Sequence, residues 1–128
     1  MSVSGLRREG TWTEEKLLAL TRNEILELWG ECPAVEMAEL YGEFKGLIPN
    51  TGDEERQKAT AELMYNADGP LGHWEGKAYT PLSHSKGDGY NLWRPRGEET
   101  KRWMRFSTEM GTSLIDGKPA LMMYYGAY

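Results

Sequence analysis

A chain of 128 residues, 39% hydrophobic and 27% charged, holds the material of one globular core and is too apolar to read as disordered. Its formal net charge of −5 disfavours sequence-independent binding to nucleic acid or acidic lipid, and no apolar stretch approaches the roughly 20 residues of a membrane-spanning helix. The start lacks the apolar run of a secretory signal and Cys32 has no second cysteine to pair with, so a cytoplasmic, reducing environment is expected.

Residues 1–12 are polar and glycine-containing and read as a loose leader. Thr13 before Glu14, Glu15 and Lys16 is a good N-cap with acidic residues in the first turn, and Leu17, Leu18, Leu20, Ile25, Leu28 and Trp29 recur at helical spacing over 14–30. Thr21 and Glu24 have the spacing of a capping box, which would break this stretch into two helices. A shorter helix is predicted over 34–41, stopped by Gly42, then a short strand over 43–48 ended by Pro49-Asn50-Thr51-Gly52. Asp53 caps a further helix running to about Tyr65, so 13–66 is mainly helical. Beyond a loop at 66–70 the character changes: glycines and aromatics rise and period-2 segments predict strands at 73–80, 90–94, 102–110 and 119–128. The fold class is α+β, with helices first and an antiparallel sheet over 72–128.

Asp116-Gly117 suits a two-residue type I′ turn. That turn pairs Ile115 with Lys118 and, further out, sets Met110 with Met123, Thr108 with Tyr125 and Phe106 with Ala127 on one mostly apolar face. Glu109 with Tyr124 and Arg105 with Tyr128 then share the opposite face, and Pro119 falls opposite Leu114. The closing run from Ala120 to Tyr128 is apolar on both sides, a pattern suited to the middle of a sheet or barrel. It predicts a covering partner chain, as in a homodimer pairing through this strand, or further sequence beyond Tyr128; the second is the reading favoured here.

Gly72-His73-Trp74-Glu75-Gly76 is the most distinctive string, with a looser echo in Gly42-Glu43-Phe44-Lys45-Gly46. A large aromatic can anchor a strand start in the core while flanking glycines admit neighbouring backbone. The string resembles the motif that names the GXWXG proteins, a family of largely uncharacterised bacterial proteins. Its first three residues are also similar to the Gly-x-Trp that opens the first strand of lipocalin-type barrels. The resemblance covers five residues, and in lipocalins the motif lies near the N-terminus rather than after helices. It implies a partial or incomplete barrel-like sheet enclosing a small apolar ligand, and carries over no catalytic residue.

Strand alternation puts His73, Glu75, Lys77 and Tyr79 opposite Trp74, so His73 with Glu75, or Tyr124, are the candidates for acid–base work; a solvated strand face is the plainer reading. Ser83, Ser85, His84 and Asp88 contain the residue types of a hydrolase triad within one loop, where triad geometry is rarely achieved. Two histidines and one cysteine show no metal-ligand spacing, and no glycine-rich loop joins a strand to a helix, so no metal or cofactor is expected. Trp93 to Arg105 mixes tryptophans with basic residues, but Glu98 and Glu99 in its middle favour a solvated hairpin over a single-stranded nucleic-acid surface. Arg94, Arg102 or Arg105 could hold the carboxylate of an otherwise apolar ligand, with Trp103 and Tyr124 contacting its body. The leading expectation is a binding module, a lipocalin-like or partly open barrel, for a small hydrophobic molecule that could also carry an acid group. The alternatives are a cofactor-free isomerase, cyclase or lyase on the same scaffold, and an interaction module that uses the final strand.

Overall fold

The computed structural model describes residues 12–127. The expected leader apart from Trp12, the side chain of Ala127, and Tyr128 with its predicted partnership with Arg105 lie outside the described residues. The chain is α+β and divides into two compact units, the described part of residues 1–33 with Leu47–Leu63, and Ala34–Gly46 with Met64–Tyr128.

The first unit is helical. Helix α1 (Glu14–Leu18) starts where the Thr13 hydroxyl accepts from the Lys16 amide at 3.2 Å. Helix α2 (Arg22–Glu31) opens on a complete capping box: Thr21 Oγ1 accepts from the Glu24 amide at 3.2 Å, and the Thr21 amide donates to Glu24 Oε1 at 2.9 Å. Those two bonds satisfy amides that a helix start otherwise leaves open, so the periodic stretch divides at Thr21 as its spacing predicts. The amide and hydroxyl of Thr21 hold the Glu24 carboxyl below its ordinary range. Helix α3 (Glu54–Met64) is capped by Asp53, whose Oδ1 accepts from the Arg56 amide at 3.1 Å. Leu20, in the link between α1 and α2, is buried.

The second unit is an open five-stranded antiparallel sheet in the order β1 (Gly42–Lys45), β2 (His73–Pro81), β3 (Lys86–Arg94), β4 (Lys101–Thr112) and β5 (Pro119–Tyr124). In place of the helix predicted over 34–41 stands one 3₁₀ turn, Met37–Glu39. The Glu36 amide donates to Glu39 Oε1 at 3.3 Å and the Leu40 amide bonds back to the Met37 carbonyl at 3.1 Å, a three-residue closure that ends the helix after one turn and buries Met37.

The β4–β5 connection differs from the expected two-residue turn. Thr112 pairs with Pro119, and the Ser113 amide donates to the Lys118 carbonyl at 2.8 Å, so Leu114 to Gly117 form a four-residue loop. A type I′ turn needs positive φ at both central residues, and here Gly117 has it (φ 71°) while Asp116 does not. Asp116 Oδ1 instead accepts from the Lys118 amide at 3.0 Å, and Ser113 Oγ accepts from the Ile115 amide at 3.1 Å. The register therefore moves by two residues: Met110 faces Leu121, Thr108 faces Met123 and Glu109 faces Met122. A shift of two preserves side-chain parity, so Phe106, Thr108, Met110, Leu121 and Met123 share one face despite the different turn.

The final strand is also shorter and lies elsewhere than expected. It ends at Tyr124, Tyr125–Ala127 form a 3₁₀ turn, and β5 is an edge of the sheet rather than its middle.

Candidate functional site

A bulge in β2 decides which side chains meet. Trp74 pairs with Trp93 and Gly76 with Leu92, which leaves Glu75 as an extra residue. Lys77 and Tyr79 are thereby turned onto the face of Trp74, the reverse of what unbroken alternation predicts. A second irregularity, between Phe106 and Trp103 on β4 opposite Gly89 and Asn91, contains Met104 at φ 58°.

On this face the rings of Phe44, Tyr79, Phe106 and Tyr125 form a path across the sheet, with successive centroids 6.0, 5.6 and 5.4 Å apart. Tyr79 and Phe106 belong to strands separated by β3, and they touch because Gly89, paired with both, carries no side chain between them. A Cβ on Gly89 would overlap the Phe106 ring and the Ala78 carbonyl. Phe106 is wholly buried, whereas Phe44 and Tyr125, at the two ends of the path, are each 40% exposed. Burial raises the phenol pKa of Tyr79, and the nearby Tyr125 adds to the shift.

A polar cluster sits against these rings. Asn91, 2% exposed, uses its whole amide: Oδ1 accepts from Trp74 Nε1 (3.1 Å) and Lys77 Nζ (2.8 Å), and Nδ2 donates to the Met104 carbonyl (3.1 Å) and Tyr125 Oη (3.0 Å). Lys77 Nζ also donates to Tyr125 Oη at 2.5 Å and lies 5.7, 5.4 and 5.3 Å from the ring centres of Trp74, Phe106 and Tyr125. On the same face the buried indole Nε1 of Trp93 has no hydrogen-bond partner among the described residues.

Trp74 is a core residue. Its ring lies on Gly46, where a Cβ would overlap it, and the Gly46 amide donates to the Glu75 carbonyl at 2.9 Å. Gly72 abuts the Arg94-Pro95 backbone and Gly76 the Phe44 carbonyl. The motif string and its earlier echo thus interlock as neighbouring strands.

The other residues singled out from the sequence are scattered. His73 stacks on Tyr65 at 5.0 Å, while Glu75 is held by Arg94 (3.1 Å) and by the Thr100 hydroxyl (2.6 Å), so the two do not meet as an acid–base pair. Arg102 forms a two-pronged contact with Glu43, at 2.9 and 3.4 Å, which also accepts from Tyr90 Oη, and Arg105 lies 4.0 Å from Asp88. Trp103, 38% exposed, pairs with Asn91 on the aromatic face; Tyr124, 46% exposed, pairs with Ser107 on the other, so they do not line one site. Ser83 Oγ accepts from the Lys86 and Ser85 amides and Asp88 lies within β3, so no triad assembles with the exposed His84. Sequence reasoning missed Asn91 altogether and assigned Lys77 to the wrong face. The one signal for both was Gly76, since an isolated glycine inside a strand pattern marks a bulge.

Among the described residues no group of three His, Cys, Asp or Glu side chains is arranged to hold a metal ion, and no helix is long and apolar enough to cross a membrane. The helical unit has an open groove of about 690 Å³ beside Asn50, Asp53 and Gln57. All three spend side-chain oxygens on nearby backbone amides, which makes them supports for the loop before α3. No model of a known protein family, no curated protein and no solved structure matches the chain.

Proposed function

We propose that the protein binds a small apolar molecule on the aromatic face of a lipocalin-like, partly open sheet, in the cytoplasm and without a cofactor. The observation that carries this reading is the ring path from Phe44 to Tyr125, buried at its centre and open at both ends. A site of this kind offers apolar walls with few polar groups, and Met123, whose sulfur accepts from Tyr79 Oη at 3.7 Å, adds an adaptable side chain. The bulge at Glu75 supports a coiled, barrel-like sheet, because bulges increase local twist. The exposed free thiol of Cys32 fits a reducing compartment.

Titration with a panel of small aromatic and fatty acids and their neutral counterparts should change tryptophan fluorescence saturably. Phe44→Ala should weaken that response about tenfold, the effect of losing roughly 1.4 kcal/mol of ring contact, while the fold survives because the ring is partly exposed. A well-folded protein with no response across the panel would remove this reading.

The position of β5 at the sheet edge, with Met123 and Tyr124 partly exposed, favours a second reading, a homodimer that pairs two β5 strands. Light scattering after size-exclusion chromatography should then give twice the chain mass, and Leu121→Pro, which removes an amide that points away from β4, should return it to the monomer mass. A monomer throughout the micromolar range would end this second reading.

A further inference from the structure

We propose that the ammonium group of Lys77 and the phenol of Tyr125 form the receptor for the carboxylate of an apolar monocarboxylic acid. This inference rests on the aromatic face being a ligand site, and it names the polar group that the ligand brings.

The argument starts from charge. Arg94, Arg96, Lys101, Arg102 and Arg105 each lie within 4.0 Å of a carboxylate, as expected in a chain with 20 acidic side chains. Lys77 differs. It is half-buried, and among the described residues no carboxylate oxygen lies within ion-pair distance of its Nζ. Its neighbours are the neutral Asn91 Oδ1, the neutral Tyr125 Oη and three ring faces. Rings stabilise a cation but leave its charge uncompensated, so the aromatic face presents a positive centre without a counter-ion.

The hydrogen-bond count sharpens the assignment. An ammonium has three donors, and two of those on Lys77 are taken by Asn91 and Tyr125. A phenol has one donor and two acceptor positions, and the Tyr125 oxygen already accepts from Lys77 and from Asn91. Its own O–H is therefore left to donate outward. The two unspent donors sit on atoms 2.5 Å apart, a spacing that the two oxygens of one carboxylate can bridge. Asn91 has no capacity left and acts as the fixed brace that positions both. Tyr125 is 40% exposed, so an acid can reach the pair from solvent and lay its apolar body along the rings of Phe44 and Tyr79. The three arginines expected to hold such a carboxylate are engaged by Glu75, Glu43 and Asp88.

Isothermal titration with two matched pairs, 2-naphthoate against 2-naphthamide and decanoate against decanamide, tests the assignment. At neutral pH each acid should bind at least tenfold more tightly than its amide. Lys77→Met keeps the apolar stem and removes the charge, and it should abolish that preference, weakening each acid by at least tenfold more than its amide. Tyr125→Phe should cut the preference three- to tenfold, and it decides the matter if Lys77→Met does not fold. Acids and amides binding equally well, or Lys77→Met and Tyr125→Phe both retaining the preference, would overturn the carboxylate receptor while leaving an apolar site standing. No binding of either pair by folded protein would remove both.

Discussion

Phe106→Ala should lose about 4 kcal/mol of folding stability, close to the upper end for truncation of a buried aromatic. Phe106 is the largest fully buried side chain, with 0% of its surface exposed. Its ring touches Tyr79 and Tyr125, lies under the Lys77 ammonium and covers Gly89, so its removal opens a space no neighbour is built to fill. Collapse is restricted because the residue across the strand pair has no side chain and those on either side are pinned, Tyr79 to Met123 and Tyr125 to Lys77. Each ring pair adds roughly 0.5–1.5 kcal/mol beyond area burial, which lifts the expected loss above that for an aliphatic residue of the same size. Since a domain of this size is stable by roughly 5–15 kcal/mol, the variant should be marginal at 37 °C. Urea denaturation measures it, and Phe106→Leu, which keeps most of the volume, should lose about 1–1.5 kcal/mol. A loss below about 1.5 kcal/mol for the alanine variant would show that the sheet does not depend on this ring.

What could be read from the sequence separates by how local its cause is. The caps at Thr13, Thr21 and Asp53 depend on a side chain and an amide three residues away, and all three form as their spacing predicts. Four of the strands begin within one residue of the starts that the sequence predicts, whereas β3 begins at Lys86, four residues before the predicted Tyr90, because Lys86 to Gly89 carry no aromatic or β-branched side chain to mark a strand. The division at Thr21 is legible for the same reason as the caps. No longer-range fact is required.

Register is different, because it belongs to two strands at once. Glu75 becomes an extra residue through the partnership of Trp74 with Trp93 and Gly76 with Leu92; Gly76 marks a bulge nearby, but residues 73–81 alone do not say which partner each will take. That one insertion reverses the face of every later residue in β2, so Lys77 and Tyr79 join Trp74 and the amine finds Asn91. The Asp116-Gly117 signal is local but shares its loop with Ser113, whose hydroxyl captures the Ile115 amide and widens the turn. The error there was two residues, which parity forgives; the error at Glu75 was one, which it does not. The candidate site was illegible for this reason, although Trp74, Tyr79 and Phe106 were each visible as large aromatics in strands.

Gly76→Ala should detach β1 from the sheet and lower stability by about 3–4 kcal/mol. Gly76 has φ 155°, in the region that side-chain-bearing residues rarely adopt, and forcing an alanine there costs roughly 1–3 kcal/mol in strain. The new methyl group would also overlap the Phe44 carbonyl and crowd the Gly46 amide, both of them backbone atoms in or just after β1. A flexible side chain could swing aside, but backbone cannot move without giving up the pairs Lys45 with Gly76 and Phe44 with Lys77. Loss of those pairs releases the Gly46 amide from the Glu75 carbonyl and lifts Gly46 off the Trp74 ring. Gly46→Ala attacks the same junction from the ring side, so the double variant should lose less than the sum of the two. Amide hydrogen exchange gives the resolving measurement. In Gly76→Ala the Gly46 amide should exchange at near-unprotected rates, while amides shared by β3 and β4 keep protection scaled to the lowered global stability. Retained protection at Gly46 with an unchanged melting temperature would mean that the two glycine-flanked strings do not interlock, and that Trp74 is anchored by its bond to Asn91 alone.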